Sequence, residues 1–173
     1  MNARKTRGLG LAIGVLVSAT VIGFACSSPA PDARFVATTP DTASFPPVAA
    51  MLVQACGSLD CHGTVGRNLR VYGDTALRFS PLDVPSTLIP TTADEVAADY
   101  ASVVGLEPEI LAQVVASDGA NPERLTLVQK ARGGENHAGG IVVVPGDVRD
   151  TCMTTWLKGN ADVTACTAAL SLP

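Results

Sequence analysis

Apolar residues recur at helical spacing in several separate stretches of this chain, with glycine, proline and small polar residues between them. Val48 to Ala55 is a run of good helix formers with Pro46 and Pro47 just ahead, where proline suits a helix start. Thr92 and Glu95 make a capping-box pattern before Val96, Tyr100, Val103 and Val104, and Gly105 ends that helix. A helix over Glu107 to Ala116 puts Ile110, Leu111, Val114 and Val115 on one face, and a short helical turn follows from Asn121 or Pro122 through Leu125 and Val128. Asp147 to Lys158 and Ala161 to Leu170 read as two more helices, with Gly159-Asn160 as the stop and turn between them. Residues 63 to 90 are broken by Gly63, Gly66, Gly73, Pro81, Pro85 and Pro90 and predict irregular structure. Short extended pieces are expected at Asn68 to Tyr72 and at Ile141 to Val144. The pattern predicts a small, mainly α domain with long irregular loops.

The N-terminal end reads differently. Arg4, Lys5 and Arg7 precede an uncharged run from Leu9 to Ala25, and Cys26 follows Gly23-Phe24-Ala25. This order resembles a bacterial lipoprotein signal over residues 1–25 with lipidation at Cys26; an uncleaved anchor or an ordinary signal peptide is the alternative. Residues 26–46 are rich in Pro, Ser, Thr and Ala, carry too few large apolar residues to offset their ordering entropy, and predict a tether. The folded domain is expected over 47–173. Positive charge ahead of the apolar run keeps that end inside and exports the rest, so the domain is expected at a membrane, facing the periplasm or the cell exterior.

Charge narrows the partners. Losing the three basic residues with the signal leaves nine basic against sixteen acidic residues, a net charge of −7. An acidic exported domain argues against nucleic acid and against a basic membrane-binding face.

Cysteine parity adds to this. Five cysteines are odd for an exported chain, and assigning Cys26 to lipid leaves Cys56 with Cys61 and Cys152 with Cys166. Cys152 and Cys166 each lie seven residues from Gly159, so an antiparallel helical hairpin brings them opposite one another. A disulfide there closes a loop of about 15 residues and is worth roughly 3 kcal/mol; two reduced core thiols are the alternative.

The chemistry concentrates at Cys56-Gly57-Ser58-Leu59-Asp60-Cys61-His62-Gly63. Two thiols followed by an adjacent imidazole are what c-type haem attachment uses, with thioethers to the porphyrin vinyls and the imidazole on the iron. Four residues separate these cysteines where the common motif has two. A local disulfide with a surface His62 is the competing reading, and a zinc site is a third that lacks ligands, because His137 is the only other histidine.

This motif follows an N-terminal helix and precedes a Gly/Pro-rich loop; later come His137-Ala138-Gly139-Gly140, an aliphatic stretch, and Thr151 to Gly159 with Met153 and Trp156. Taken together, the chain resembles a class I-type c-type cytochrome domain of exported bacterial lipoproteins, such as those of myxobacteria and planctomycetes. The resemblance implies thioethers at Cys56 and Cys61, proximal iron ligation by His62, and covalent haem c as cofactor. For the distal ligand it leaves His137, on a glycine-flanked loop, ahead of Met153, while Met51 lies too close to the motif. Methionine in that position raises the reduction potential relative to two imidazoles. Arg67, Arg70, Arg78, Arg124, Lys130 and Arg132 flank the loops around such a haem, as propionate partners or as ordinary solvated charges. Tyr72, Phe79, Tyr100 and Trp156 are candidates to wall its edge.

Nothing in the chain points to hydrolysis or group transfer. Asp94-Glu95 and Glu107 to Glu109 lie at helix starts, where the dipole favours acidic residues without a catalytic role. The expected function is a non-enzymatic, membrane-anchored carrier of single electrons with a redox partner protein in the cell envelope. The rival from another class is a haem-free, disulfide-stapled envelope lipoprotein that binds or supports another component.

Overall fold

The computed structural model describes residues 37–173. The signal over 1–25, Cys26 and most of the expected tether lie outside the described residues. Among the described residues six α-helices form: α1 (Pro46–Cys56), α2 (Ala93–Val104), α3 (Pro108–Ala116), α4 (Thr126–Ala131), α5 (Val148–Leu157) and α6 (Val163–Ala169), with a 3-10 turn at Pro122–Arg124 ahead of α4. The domain is mainly α, as the hydrophobic pattern predicts. Among the described residues no strand forms, and no helix is long and apolar enough to cross a membrane.

Helix α1 is the centre of the packing. It carries Val48, Ala49, Met51, Leu52 and Val53 into the core and lies against α2, α5 and α6. Helices α5 and α6 make the hairpin expected on either side of Gly159, and Cys152 and Cys166 are joined by a disulfide within it.

The packing extends back from α1 over residues 40–45. Phe45 is fully buried, with its ring centre 4.9 Å from that of Trp156 and 5.4 Å from that of Tyr100. The Trp156 indole N–H donates to the Asp41 carbonyl at 2.9 Å, and the Tyr100 hydroxyl to the Pro40 carbonyl at 2.8 Å. Burying an aromatic ring gains large apolar area, but its polar tip then needs a partner, and the backbone of 40–41 supplies both acceptors. Tyr100 and Trp156 are therefore core residues around Phe45 and do not wall the cavity described below.

The two extended pieces are also corrected. Tyr72 makes a single parallel bridge to Leu77, and the amides of Val142 and Val143 both donate to the Ala131 carbonyl at the end of α4. With no neighbouring strand to ladder against, these segments satisfy their backbone on helices and on the His62 carbonyl.

Helix α2 holds most of the irregular segment 63–91 in place. Its capping box is formed, Thr92 accepting from the Glu95 amide and Glu95 from the Thr92 amide. The same carboxylate is buried and takes two bonds from the Arg78 guanidinium, at 2.8 and 3.1 Å, and one from the Phe79 amide at 3.1 Å. Arg78 also donates to the carbonyls of Ile89 and Pro90. One ion pair thus ties both ends of the loop 78–90 to the start of α2, and Arg78 is a structural cation rather than a solvated charge or a propionate partner. Burial alone raises the Glu95 carboxyl, but the Thr92 and Phe79 amides and the Arg78 charge outweigh it and hold it below the usual range.

One turn on, Asp99 accepts from the Tyr72 amide at 2.7 Å, and its second oxygen is buried without a partner. Burial pushes Asp99 up to about 7; the Tyr72 bond opposes this and the Glu95 charge adds to it. Ser102 accepts from the Arg70 amide at 2.8 Å, so α2 anchors the loop at three successive turns.

Two outcomes follow from α2. Glu95→Ala leaves a buried guanidinium without its counter-charge and removes a cap, so a loss of about 3–5 kcal/mol is expected in denaturant unfolding. Asp99 binds its proton more tightly folded, at about 7, than unfolded at about 3.9. The folded state then holds the extra proton between those values, and stability falls as pH rises through that window by up to about 1.4 kcal/mol per unit. Asp99→Asn should flatten this slope in unfolding curves taken from pH 4 to 7.5. The Glu95 contribution has the opposite sign and is lost below the unfolded carboxyl range, so it does not mask the effect.

Candidate functional site

The end of α1 and the residues after it build one wall of the site. Four residues separate Cys56 from Cys61, and they fold into a tight turn: the amides of Cys61 and Gly63 both donate to the Ser58 carbonyl, at 2.9 and 3.0 Å. The turn returns His62 to the end of the helix, where its amide donates to the Cys56 carbonyl at 3.1 Å. A Cβ on Gly63 would collide with the Gly57 carbonyl, so glycine is required for the loop to close this tightly. The wide spacing is thereby absorbed locally, and the imidazole stays beside the helix end that carries the first thiol.

His62 is then fixed by its surroundings. Its carbonyl accepts from the Val71 amide at 2.9 Å, and its Nδ1 lies 3.0 Å from the Leu69 carbonyl. A carbonyl oxygen only accepts, so Nδ1 carries the proton, and in the neutral ring Nε2 keeps its lone pair. This is how histidines that ligate metals are usually oriented.

His137 comes to the same place from the other side. The centres of the two rings are 6.0 Å apart and their planes differ by 27°. His137 Nδ1 lies 3.0 Å from the Gly140 carbonyl, which leaves its Nε2 free in the same way. The pair is stacked at this separation, which brings both imidazoles within reach of one group bound in the cavity they share.

Both histidines and Cys56 line a cavity of about 310 Å³. Its apolar lining comes from Leu69, Leu106, Leu127, Ala131 and Val142, and its polar edge from Arg67, Asn68 and Lys130. That volume lies at the small end of the roughly 300–1,000 Å³ typical of ligand clefts. A second recess of about 470 Å³ adjoins it, sharing Gly66, Arg67, Asn68 and Leu106 and adding Arg70 and Gly105. Helix α4 is aimed by Glu107, whose carboxylate accepts from the amide and the hydroxyl of Thr126 at its first turn.

Of the six candidate cations, Arg67, Arg70 and Lys130 border these recesses. Arg67 is oriented by the Cys61 and Asp60 carbonyls. Arg132 is bound to Asp150 at 2.7 Å, Arg124 to Gln113, and Arg78 to Glu95. Met153 is buried in the core and does not line the cavity. Tyr72 and Phe79 pair with each other, ring centres 5.5 Å apart, also away from the lining.

Cys56 and Cys61 are both free thiols, the first half-buried at the cavity and the second exposed. Burial pushes Cys56 up to about 11; Arg149 nearby opposes this and Cys61 adds to it. Among the described residues no group of three or more His, Cys, Asp or Glu is gathered to hold a bare metal ion. A four-coordinate zinc site would need ligands beyond these two imidazoles.

Sequence reasoning missed Leu106, Leu127, Ala131 and Val142 as lining and Arg149 as a buried cation close to Cys56. The helical period of α4 marked Leu125 and Val128 as core, but nothing in it tells which neighbour the next face meets. No protein-family model, curated protein or solved structure matches the chain.

In the haem-free, reduced chain, iodoacetamide at pH 8 should label Cys61 well before Cys56, because a thiol with its pKa near 11 is thiolate in only about one molecule in a thousand at that pH. Peptide mapping by mass spectrometry reads the order, and equal labelling rates contradict the assigned burial of Cys56.

Proposed function

We propose that this chain is an exported c-type haem lipoprotein that carries single electrons in the cell envelope. The observation that carries the reading is the pair of imidazoles, His62 and His137, 6.0 Å apart on one cavity, each with Nδ1 held by a carbonyl and Nε2 free. The cysteines support it too, since among the described residues Cys152 and Cys166 are joined while Cys56 and Cys61 stay separate thiols.

In this reading Cys56 and Cys61 hold haem c through thioethers, His62 is the proximal ligand, and His137 takes the distal side in place of Met153. Bound haem supplies reversible one-electron exchange at iron. Leu69, Leu127, Ala131 and Val142 exclude water from the ligand side chains, and Arg67, Arg70 and Lys130 offset the charge of the propionates. Two imidazoles set a lower potential than an imidazole with a methionine. A lipid on Cys26 keeps the domain at the membrane, within reach of a redox partner protein.

Produced for export together with haem-maturation machinery, the full chain should give a haem-peroxidase band that survives denaturing electrophoresis, and Cys61→Ala should lose it. A colourless wild-type product with Cys56 joined to Cys61 overturns the proposal and leaves the haem-free, doubly stapled binding module.

A further inference from the structure

The two histidines are held very differently. His62 is bonded to Cys56 through its amide, to Val71 through its carbonyl and to Leu69 through its ring, and that loop is tied to α2 at Ser102 and Asp99. His137 sits in the segment 135–141, whose only hydrogen bonds among the described residues are internal: Gly140 amide to His137 carbonyl, and His137 Nδ1 to Gly140 carbonyl. One ion pair reaches out from it, Glu135 to Lys130 at 3.8 Å, with both side chains nearly half exposed, and a contact of that kind contributes about 0–1 kcal/mol.

The base of the segment is fixed, by contrast. Gly134 donates to the Gln129 carbonyl on one side, and Val142 and Val143 to the Ala131 carbonyl on the other. Ile141 lies across Gly133, where a Cβ would come within 2.6 Å of its Cγ1. Gly133 (φ +76°) and Gly140 (φ +70°) occupy left-handed backbone at the two ends, a conformation glycine enters and leaves at little cost. The result is a short flap with firm hinges and a weakly held tip, and the tip carries His137.

We infer that the distal position is exchangeable: the flap 135–141 swings away and a small neutral ligand takes the place of His137. The inference rests on the haem reading above. Leu127, Ala131 and Val142 remain behind when the flap leaves, with Thr126 and Lys130 on the same wall, so the vacated side is mainly apolar and suits an uncharged diatomic molecule. The imidazole on the flap then acts as an internal competitor, and the ligand reaches only the fraction of molecules that are open.

The test uses the full chain with covalent haem, reduced, and carbon monoxide as probe. In the wild type the Soret band should shift to that of a carbonyl adduct, with a rate that levels off as carbon monoxide rises, because flap opening becomes limiting. In His137→Ala the rate should stay proportional to concentration, and the apparent affinity should be about ten-fold tighter. Hydrogen exchange gives a second readout: amides of 135–141 should exchange faster than those of 61–71 and faster still once carbon monoxide is bound. A wild type that ignores saturating carbon monoxide while His137→Ala binds it, equal linear kinetics in both, or equal protection of the two loops overturns the inference. Protein with no Soret absorbance at all overturns the haem reading instead.

Discussion

The hydrogen bond from the His62 amide to the Cys56 carbonyl is the constraint on which the site depends. It closes the turn of Gly57 to Cys61 against the end of α1 and fixes the imidazole relative to a helix that is itself the centre of the core. A longer insert between two cysteines would ordinarily loosen the second from the first. Here the Ser58 carbonyl takes two amides and Gly63 leaves room for the Gly57 carbonyl, so the extra residues are spent on a turn and not on slack.

A helical domain with few helices around its site must hold long loops without a sheet. Helix α2 does this with side chains at successive turns: Glu95 takes Arg78 and Phe79, Asp99 takes Tyr72, and Ser102 takes Arg70. Backbone groups that lack a ladder partner still have to be paired when buried, and short acidic or hydroxylic side chains on a rigid helix pair them with little entropy of their own. The chain of support then runs from α2 through the loop to the Leu69 carbonyl and on to His62 Nδ1. Asp99 carries the strain of the arrangement, with one oxygen buried and unpaired.

The other side of the cavity follows a different logic. His137 reaches the cavity on a flap bonded mainly to itself, so its position costs the rest of the domain little and its departure disturbs little. One rigid and one loosely held imidazole thus share a single cavity. The acidic surface of the domain as a whole contrasts with Arg67, Arg70 and Lys130 at the mouth of the two recesses.

Much of this was legible in residue order alone, wherever the cause is local. The helices follow from apolar spacing and proline placement, the Thr92–Glu95 cap from its two side chains, and the Cys152–Cys166 bridge from the symmetric distance of both cysteines from one turn. The adjacency of Cys61 and His62 is covalent and needs no fold. Tertiary structure decided the rest, because it depends on which surfaces meet. It brought His137 within 6.0 Å of His62 across 74 intervening residues, buried Met153 in the core, and drew Pro40 to Phe45 into the packing through Trp156 and Tyr100. It also set Arg78 against Glu95 and Arg132 against Asp150 and Glu123, leaving Arg67, Arg70 and Lys130 at the recesses. Sequence gives a cation its charge, but only the packed neighbours fix which anion it meets.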